Sequence, residues 1–510
     1  MSMINNKRII RNTVLLYIRM ILLMIITLYT SRVILSVLGV ADYGIYSLVG
    51  GVISLFSFVS NSIVASIQRY FNVALGENDE EKYQRIYVMG INMIIIFSLL
   101  LLFIGETIGL WFINNRMNVP EGRESAVFWV YQISLFTLIV QLFRSPNNAS
   151  IIAYEKMDFY AYLSIIEVLF KLAIVFLLQI FNADKLILYV LLYLIVTIII
   201  NIIYKLYCVR SFNACRYKLL WDKILLKKLF SFSGWSLLSN GTRTVTMQGE
   251  NIFLNQNYSV NVNAARGIAA QVYNAVNIFL TNFQTAFRPQ LIKTYAVGEM
   301  DQHYNLLYRS SKFSYYLLLT LAIPIIYNLD LILDLWLVEV PAYTKEFCIF
   351  VLFAYLVDAL AMPLWISISA NGNIRNIQIS ISVVFIIQLV ASYFALKAKY
   401  PPYIVSVFIL LSHSIHFIFY LYYCIKQCEL KLIDYVKKVI IPLIPVTILS
   451  LLITYTISLN TCNNIYMSFV CMFMEVLSIL LVIWMVGMNK QEKLYLKKII
   501  SSIFVKLNVK

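Results

Sequence analysis

The 510-residue chain is 61% hydrophobic and only 13% charged, so it carries more apolar surface than a soluble fold can bury, and a lipid bilayer accepts such a chain. Its net charge of +16 lies in clusters between long apolar runs, which indicates membrane topology and argues against nucleic-acid binding. The seven cysteines form no paired framework, and the three histidines have no acidic or thiol partners at ligand spacing. We therefore expect neither a metal site nor a cofactor.

Fourteen hydrophobic runs are long enough to cross a bilayer. In chain order they are 9–38, 45–67, 86–113, 126–143, 159–181, 186–207, 229–254, 262–287, 313–329, 347–370, 374–396, 403–425, 436–459 and 465–488. The first run is too long for the core of a signal peptide and lacks a small-residue cleavage site, so we expect it to remain in the mature protein. The sequence thus predicts an all-α integral membrane protein of about fourteen transmembrane helices, with the seventh and eighth spans the most polar.

Lysine and arginine are distributed unequally between alternate loops. With the N-terminus inside, the inside segments hold 30 of the 41 basic residues and the outside loops hold six. Because basic loops are retained on the cytoplasmic side, we expect both termini to be cytoplasmic.

Two short patterns repeat after about 220 residues. Gly76-Glu77 and Gly298-Glu299 differ by 222 positions, and Gly44-Ile45 and Gly267-Ile268 differ by 223. Spans one to six and seven to twelve therefore look like two parallel copies of one unit, an arrangement that usually places the substrate site between the copies. The predicted organisation is two pseudo-symmetric six-helix lobes, 1–218 and 219–430, followed by spans thirteen and fourteen and a basic tail, 431–510.

Charged residues inside the spans cost about 2.5–3.5 kcal/mol each at the bilayer centre, so each should have a partner or face a wet cavity. They are Arg19, Arg32, Glu167, Lys171, Arg243, Glu250, Arg266 and Asp358. Glu167 and Lys171 are four residues apart in the favourable order, which favours an ion pair; a contact with a coupling ion or substrate is the alternative.

Other embedded charges have no partner at local spacing. Arg243 and Glu250 are about 10 Å apart along one helix, too far for a direct pair, so we expect both to face one aqueous space. Asp358 has no basic neighbour in its own span, which leaves two alternatives, binding of a coupling ion and an interhelical hydrogen bond. Glu250, Glu167 and Lys171 are the further coupling candidates.

Span eight has a polar face. Residues seven apart lie on nearly one side of a helix, and the two polar or small rows are Asn263, Ala270, Asn277, Gln284 and Gly267, Asn274, Thr281, Arg288. The opposite side is assigned Ile268, Val272, Ile278 and Phe279. This pattern favours the wall of a water-filled cavity over a polar seam between helices.

Arginine is the side chain that binds phosphate oxygens through a rigid fork of donors. The predicted site for an anionic head group therefore consists of Arg19, Arg32, Arg243, Arg266, Asn274 and Asn277. For Arg32, simple extension of the side chain to the membrane interface is the alternative.

An enzyme is not predicted. The sequence contains no nucleophile elbow, phosphate-binding loop, zinc motif or paired carboxylates in a long outside loop. The longest outside loop, 330–346, has 17 residues and leaves no room for a catalytic domain.

Several strings resemble polysaccharide flippases of the O-antigen type, in the multidrug/oligosaccharidyl-lipid/polysaccharide exporter superfamily. They are NTVLLYIRM (12–20), LYTSRVILSVLGVADYGIYSLVGG (28–51), EKMDFYAYLSIIEVLFKL (155–172), NAARG (263–267) and FQTAFRPQLIKTYAVGE (283–299). The resemblance implies two lobes around a central cavity and alternating access in a bacterial inner membrane. It also implies transfer of a polyprenyl-pyrophosphate-linked oligosaccharide to the outer leaflet, for surface polysaccharide such as that of lipopolysaccharide. Membrane lipids and, by analogy, glycan-assembly enzymes are the implied partners.

The lipid II flippase of the same superfamily adds an expectation about residues. It carries cavity arginines on spans one and eight, where Arg19, Arg32 and Arg266 lie here, and one on span two, where this chain has none. Arg243 on span seven would then substitute.

Two other functions remain as alternatives. A multidrug exporter of the same superfamily usually has twelve spans and an acidic cavity, which fourteen spans and buried arginines argue against. A membrane-embedded glycan ligase or polymerase usually needs a large catalytic loop outside the membrane, which this chain lacks.

Overall fold

The computed structural model describes residues 15–23, 25, 26, 29, 30, 33, 34, 37, 38, 42, 45, 46, 57–111, 113, 122–180, 184–258, 260–337, 340–459, 465–490 and 492–494. Over these residues the backbone is helical or forms short connections, with no strand, which confirms the predicted all-α class. Part of span one, including Arg32, together with Gly44 and the basic tail beyond residue 494, lies outside the described residues.

The chain divides into two compact units, Ile10–Gly241 and Thr242–Lys510. Beyond residue 56, the described part of the first unit contains five α-helices: α1 (Ser57–Gly76), α2 (Glu80–Ile104), α3 (Glu124–Ala153), α4 (Met157–Leu177) and α5 (Lys185–Ser211). Helix α2 continues through a π-helical turn, Gly105–Gly109, and α6 (Lys223–Asn257) crosses the boundary between the units.

The second unit continues with nine helices among its described residues. They are α7 (Val260–Ala296), α8 (Met300–Tyr327), α9 (Leu329–Trp336), α10 (Thr344–Asn371), α11 (Arg375–Lys397), α12 (Ile404–Cys428), α13 (Leu432–Tyr435), α14 (Ile441–Ser458) and α15 (Ile465–Val482). A π turn joins α13 to α14 in one continuous helix, Leu432–Ser458, and another extends α15 to Gly487.

Each unit is organised around one central helix. In the first unit α3 packs against α1, α2, α4 and α5, and in the second α10 packs against α7, α8 and α12. These helices are the fourth and tenth predicted spans, which a six-helix repeat makes equivalent. Each also contains an internal proline, Pro146 in α3 and Pro363 in α10. The second unit additionally contains α14 and α15, which pack on α8.

The predicted number of fourteen spans is compatible with the described residues. Nine of their helices are long and apolar enough to cross a membrane, or ten when α8 and α9, bent by 75° at their junction, count as one span. Helices α6 and α7 are too polar to count among these apolar helices. Their 35 and 37 residues are nevertheless about 53 and 56 Å long, more than a hydrocarbon core of about 30 Å. Both extend beyond their predicted bounds, because outside the bilayer a helix is no longer marked by hydrophobicity.

Candidate functional site

A buried ion pair joins α6 and α7 in the second unit. The Glu250 carboxylate is 0% exposed and accepts a hydrogen bond from Arg266 Nη2 at 2.5 Å. It also accepts from Gln388 Nε2 at 2.8 Å and from Ser392 Oγ at 3.0 Å, both on α11. Arg266 Nη1 donates to Asn251 Oδ1 at 2.6 Å and is 11% exposed at its side chain. Both charges are therefore neutralised and enclosed.

This pair corrects one expectation and restricts another. Glu250 does not share an aqueous space with Arg243, because it is sealed between α6, α7 and α11. Arg266, predicted to bind substrate, has its donors committed to Glu250, Asn251 and the Met247 carbonyl. Spacing within one span could not reveal this pair, because Arg266 reaches Glu250 from the next helix.

A second polar group, here called the Asp358 cluster, consists of Arg243, Tyr273, Tyr355, Asp358 and His413. Arg243, on α6, is exposed and its Nη2 donates to Tyr355 Oη at 3.3 Å. The Tyr355 ring stacks on Tyr273 of α7, with ring centroids 3.4 Å apart. Asp358 Oδ1 lies 3.5 Å from His413 Nδ1, and its side chain is 25% exposed. Asp358 thus has basic neighbours, but they come from α12 and α6 rather than from its own helix.

One of the two polar rows of α7 is exposed from Gly267 to Thr281, whereas Gln284, at the end of the other row, is buried. Gly267, Asn274 and Thr281 are exposed, whereas the residues that pack into the unit are small or apolar: Val262, Ala265, Ala269, Val272, Val276 and Leu280. Ile278 lies on the polar side, 40% exposed, and not on the opposite side as predicted. It follows Gly267 by eleven residues, about three helical turns, so the two share a face.

Two further residues of the polar face of α7 are more enclosed than the exposed row. Asn277 is half-buried beside the exposed row. Arg288, the last member of the second polar row, lies one residue beyond the predicted end of span eight but within α7, and it is half-buried. Its Nε has no hydrogen-bond partner, and none of the described carboxylates lies within 4.0 Å of its guanidinium.

In the first unit, Glu167 joins two cations. Lys171 Nζ lies 2.8 Å from Glu167 Oε1, which confirms the predicted ion pair, and Arg144 Nη1 lies 2.8 Å from Glu167 Oε2. Arg144 lies one residue beyond the predicted end of span four, but α3 continues through it to Ala153. A carboxylate held by two cations in this way is already neutralised, which is typical of a structural link between helices.

Arg19 is placed against an aromatic ring in the same unit. Its guanidinium lies 4.5 Å from the centroid of Tyr160, and Nη2 donates to Tyr160 Oη at 3.4 Å. Arg19 Nε is buried and has no hydrogen-bond partner. Arg19 therefore has no carboxylate partner among the described residues.

Two buried acids of the second unit were missed by the sequence reasoning. Glu492 pairs with Lys312 of α8 at 2.6 Å, and both side chains are almost fully enclosed. Glu475, in the middle of span fourteen, accepts from Asn328 Nδ2 at 2.8 Å. Its position in an apolar run was the signal that could have identified it. Over the described ranges, no three histidine, cysteine or acidic side chains form a group suited to a metal ion.

No family model and no curated protein matches this sequence. Solved structures do share its fold. An outward-facing multidrug resistance transporter of the MATE family, in the MOP superfamily, has a TM-score of 0.71 at 14% identity, over 84% of this chain and 97% of that one. A MATE protein in a bent conformation has a TM-score of 0.70 at 12% identity, over 83% and 96%.

A MOP superfamily transporter from Pyrococcus furiosus, whose binding pocket has a reverse polarity that suggests a different function, has a TM-score of 0.68 at 13% identity over 83% and 96%. The chain therefore has the fold of MATE transporters, over nearly the whole length of each of these structures.

Proposed function

We propose that this chain is a transporter that moves a lipid-linked oligosaccharide with a pyrophosphate group from the cytoplasmic to the outer leaflet of a bacterial inner membrane, by alternating access. The fold shared with transporters over nearly their whole length is the observation that carries the transport function. A fold alone does not fix the substrate, so the choice of an anionic glycan rests on the residues of the second unit.

Arg243 is the residue that most favours an anionic substrate. It is exposed, and among the described residues no carboxylate lies within 4.0 Å of it, in contrast to Arg266. Helices α6 and α7 run antiparallel, with Glu250 opposite Arg266. Arg243 lies seven residues before Glu250, about 10 Å, and Asn274 lies eight residues after Arg266, about 12 Å, so the two are at one level.

A guanidinium and a carboxamide at one level, with a second carboxamide on the next turn, provide forked and single donors for phosphate and sugar oxygens. Asn274 is exposed, and Asn277 is half-buried one turn further along α7. Arg266 is assigned a structural role in this proposal, and Arg19 is a separate candidate contact within the first unit.

Of the candidate coupling acids, Asp358 is the one that no described lysine or arginine contacts at ion-pair distance. Glu250 and Glu167 are each neutralised by arginine or lysine at 2.8 Å or less, whereas the one basic side chain within ion-pair distance of Asp358 among the described residues is a histidine at 3.5 Å, and Asp358 is partly exposed. A carboxylate with that access and a titratable partner is suited to bind and release a coupling ion. Asp358→Asn should slow transport more than substrate binding.

Export of drugs is the second candidate, and the neighbouring structures favour it. One of them is a multidrug resistance transporter with the same fold at a TM-score of 0.71. The partly exposed Asp358 is the kind of group that would attract a cationic drug. In that case the guanidinium of Arg243 would oppose binding and its removal would not reduce export.

Measuring surface glycan and drug susceptibility in one set of strains distinguishes the two functions. Strains lacking the protein would be complemented with the parental chain, Arg243→Ala, Arg243→Lys or the control Arg85→Ala. Losing a charge-assisted hydrogen bond costs about 1.5–3 kcal/mol of binding free energy, so Arg243→Ala should weaken substrate binding roughly 10- to 100-fold. Lysine should restore only part of it, since it lacks the fork.

The control arginine is exposed at the start of α2, where it pairs with Glu81 at 3.2 Å, a contact that contributes little. Parental glycan levels in Arg85→Ala and reduced levels in Arg243→Ala, at equal protein abundance, support the proposal. Drug hypersensitivity with normal surface glycan in the strain without the protein would support the second candidate instead.

A further inference from the structure

Helix α15 lies antiparallel along α8. Tyr316 Oη donates to the Gly487 carbonyl at 3.1 Å, and Asn328 Nδ2 donates to Glu475 Oε2 at 2.8 Å. Twelve residues separate Tyr316 from Asn328, and twelve separate Glu475 from Gly487, about 18 Å on each helix. The equal spacing indicates one continuous contact between the helices. It places Glu475 near the middle of the 22-residue apolar stretch that ends at Gly487.

The Glu475 carboxyl has an environment unlike that of the other fully enclosed acids of this unit. Its side chain is 0% exposed, and Oε1 has no hydrogen-bond partner. Glu250 and Glu492 are each paired with a cation, at 2.5 and 2.6 Å, whereas among the described residues no cation reaches Glu475. An ionised carboxylate with one neutral donor in the middle of a membrane is very costly, and protonation removes that cost.

We propose that Glu475 is a proton-binding site and that its charge state controls the bend between α8 and α9. The site lies on helices that the proposed substrate site does not use, so the inference goes beyond the proposed function. A proton suits the site better than a metal cation, since over the described residues no three histidine, cysteine or acidic side chains gather there and a bound metal ion needs several ligands.

Asn328 connects the carboxyl to the bend. Its Nδ2 donates both to Glu475 and to the Pro324 carbonyl, at 2.9 Å, so it ties the last turn of α8 to α15. Helix α8 ends at Tyr327, and α9 departs at 75°. Pro324 cannot donate a backbone hydrogen bond to the Thr320 carbonyl, which weakens the turn just before the bend. Ionisation of Glu475 would strengthen its attraction for the Asn328 amide and so change the contact that joins the end of α8 to α15.

Among the described residues, the other titratable groups near the site are Cys471, one turn before Glu475 on α15, tyrosines and two exposed acids. Tyr327 of α8 interacts electrostatically with Glu475 and packs against Tyr455 of α14, with ring centroids 6.4 Å apart. On α9, Asp330 and Asp334 are exposed, and Asp330 pairs with Lys345 at 2.5 Å. None of these supplies a positive charge to the enclosed carboxyl.

Infrared difference spectra of the purified full-length protein in lipid nanodiscs test the proton directly. A pH titration should show the C=O band of a protonated carboxyl that Glu475→Gln removes and that Asn328→Leu shifts, because the hydrogen bond to the carboxyl is lost. The matched control is Glu106→Gln, an exposed acid of the π turn after α2, which should keep the band. A band that persists in Glu475→Gln overturns the proposal, and so does a band that responds to sodium at constant pH.

Spin labels at Leu335 of α9 and Leu452 of α14, both exposed, test the link to the bend. The distance between them should change with pH in the parental protein and should stay at its low-pH value in Glu475→Gln. A distance that changes equally in both proteins overturns the control of the bend. Neither measurement needs a substrate, so a failure here is distinguishable from a failure of the proposed function.

Discussion

Removing the Arg266 guanidinium should destabilise the fold. Glu250 is fully buried, and Arg266 is the one cation within ion-pair distance of it in the described part of the chain. Breaking a buried pair by removing one partner costs about 3–5 kcal/mol, because the other charge stays uncompensated. Gln388 and Ser392 still donate to the carboxylate after the change. We therefore expect about 3 kcal/mol for Arg266→Met, roughly a 100-fold change in the ratio of folded to unfolded protein.

Unfolding of the purified variants in one detergent measures this cost. The double variant Arg266→Met with Glu250→Gln should recover most of the lost stability, since no unpaired charge remains. Arg243→Met is the matched control on the neighbouring helix. It should unfold close to the parental protein, because Arg243 is exposed and makes a single 3.3 Å hydrogen bond. Parental stability in Arg266→Met together with lost transport would refute a structural role and return Arg266 to the substrate site.

Two further predictions concern the first unit. Burial raises the pKa of Asp184, but the hydrogen bond from Arg123 at 2.5 Å and the cap on α5 lower it more, so the net pKa lies below its ordinary value. The stability from this carboxylate is present above about pH 4 and is lost as the pH falls further, so the unfolding temperature of Asp184→Asn should depend less on acid than that of the parental protein. Gly109→Ala should cost about 1–3 kcal/mol in unfolding experiments, because its Cβ would lie 2.1 Å from the hydroxyl of buried Tyr131, whereas Gly234→Ala, with open space, should cost little.

The sequence predicts well those features that depend on local spacing. Apolar runs identify the membrane-crossing helices, and the four-residue spacing of Glu167 and Lys171 correctly predicts their ion pair. The same rule cannot show that Arg144 joins them, because that arginine lies on a different helix, 23 residues away. A local pattern thus identifies a charge that needs a partner, but the packing of helices decides which partner it has.

Features that depend on helix packing could not be predicted from the sequence pattern. Arg266 meets Glu250 across a helix connection, and His413 meets Asp358 from a helix 55 positions later. The 75° bend after Tyr327 is marked in the sequence only by Pro324, and prolines within α3 and α10 coincide with no such break. The ends of α6 and α7 were predicted too short, because hydropathy marks the bilayer and not the helix.

The most direct measurement is transfer of a fluorescent polyprenyl-pyrophosphate-linked oligosaccharide across liposomes that contain the purified protein, followed by quenching from one side. We expect transfer to be faster than in protein-free liposomes, to be inhibited by excess pyrophosphate, and to be largely lost in Arg243→Ala but not in Arg85→Ala. Transfer no faster than in protein-free liposomes, by protein that transports a cationic drug in the same preparation, would contradict the anionic-glycan assignment and establish the drug exporter in its place.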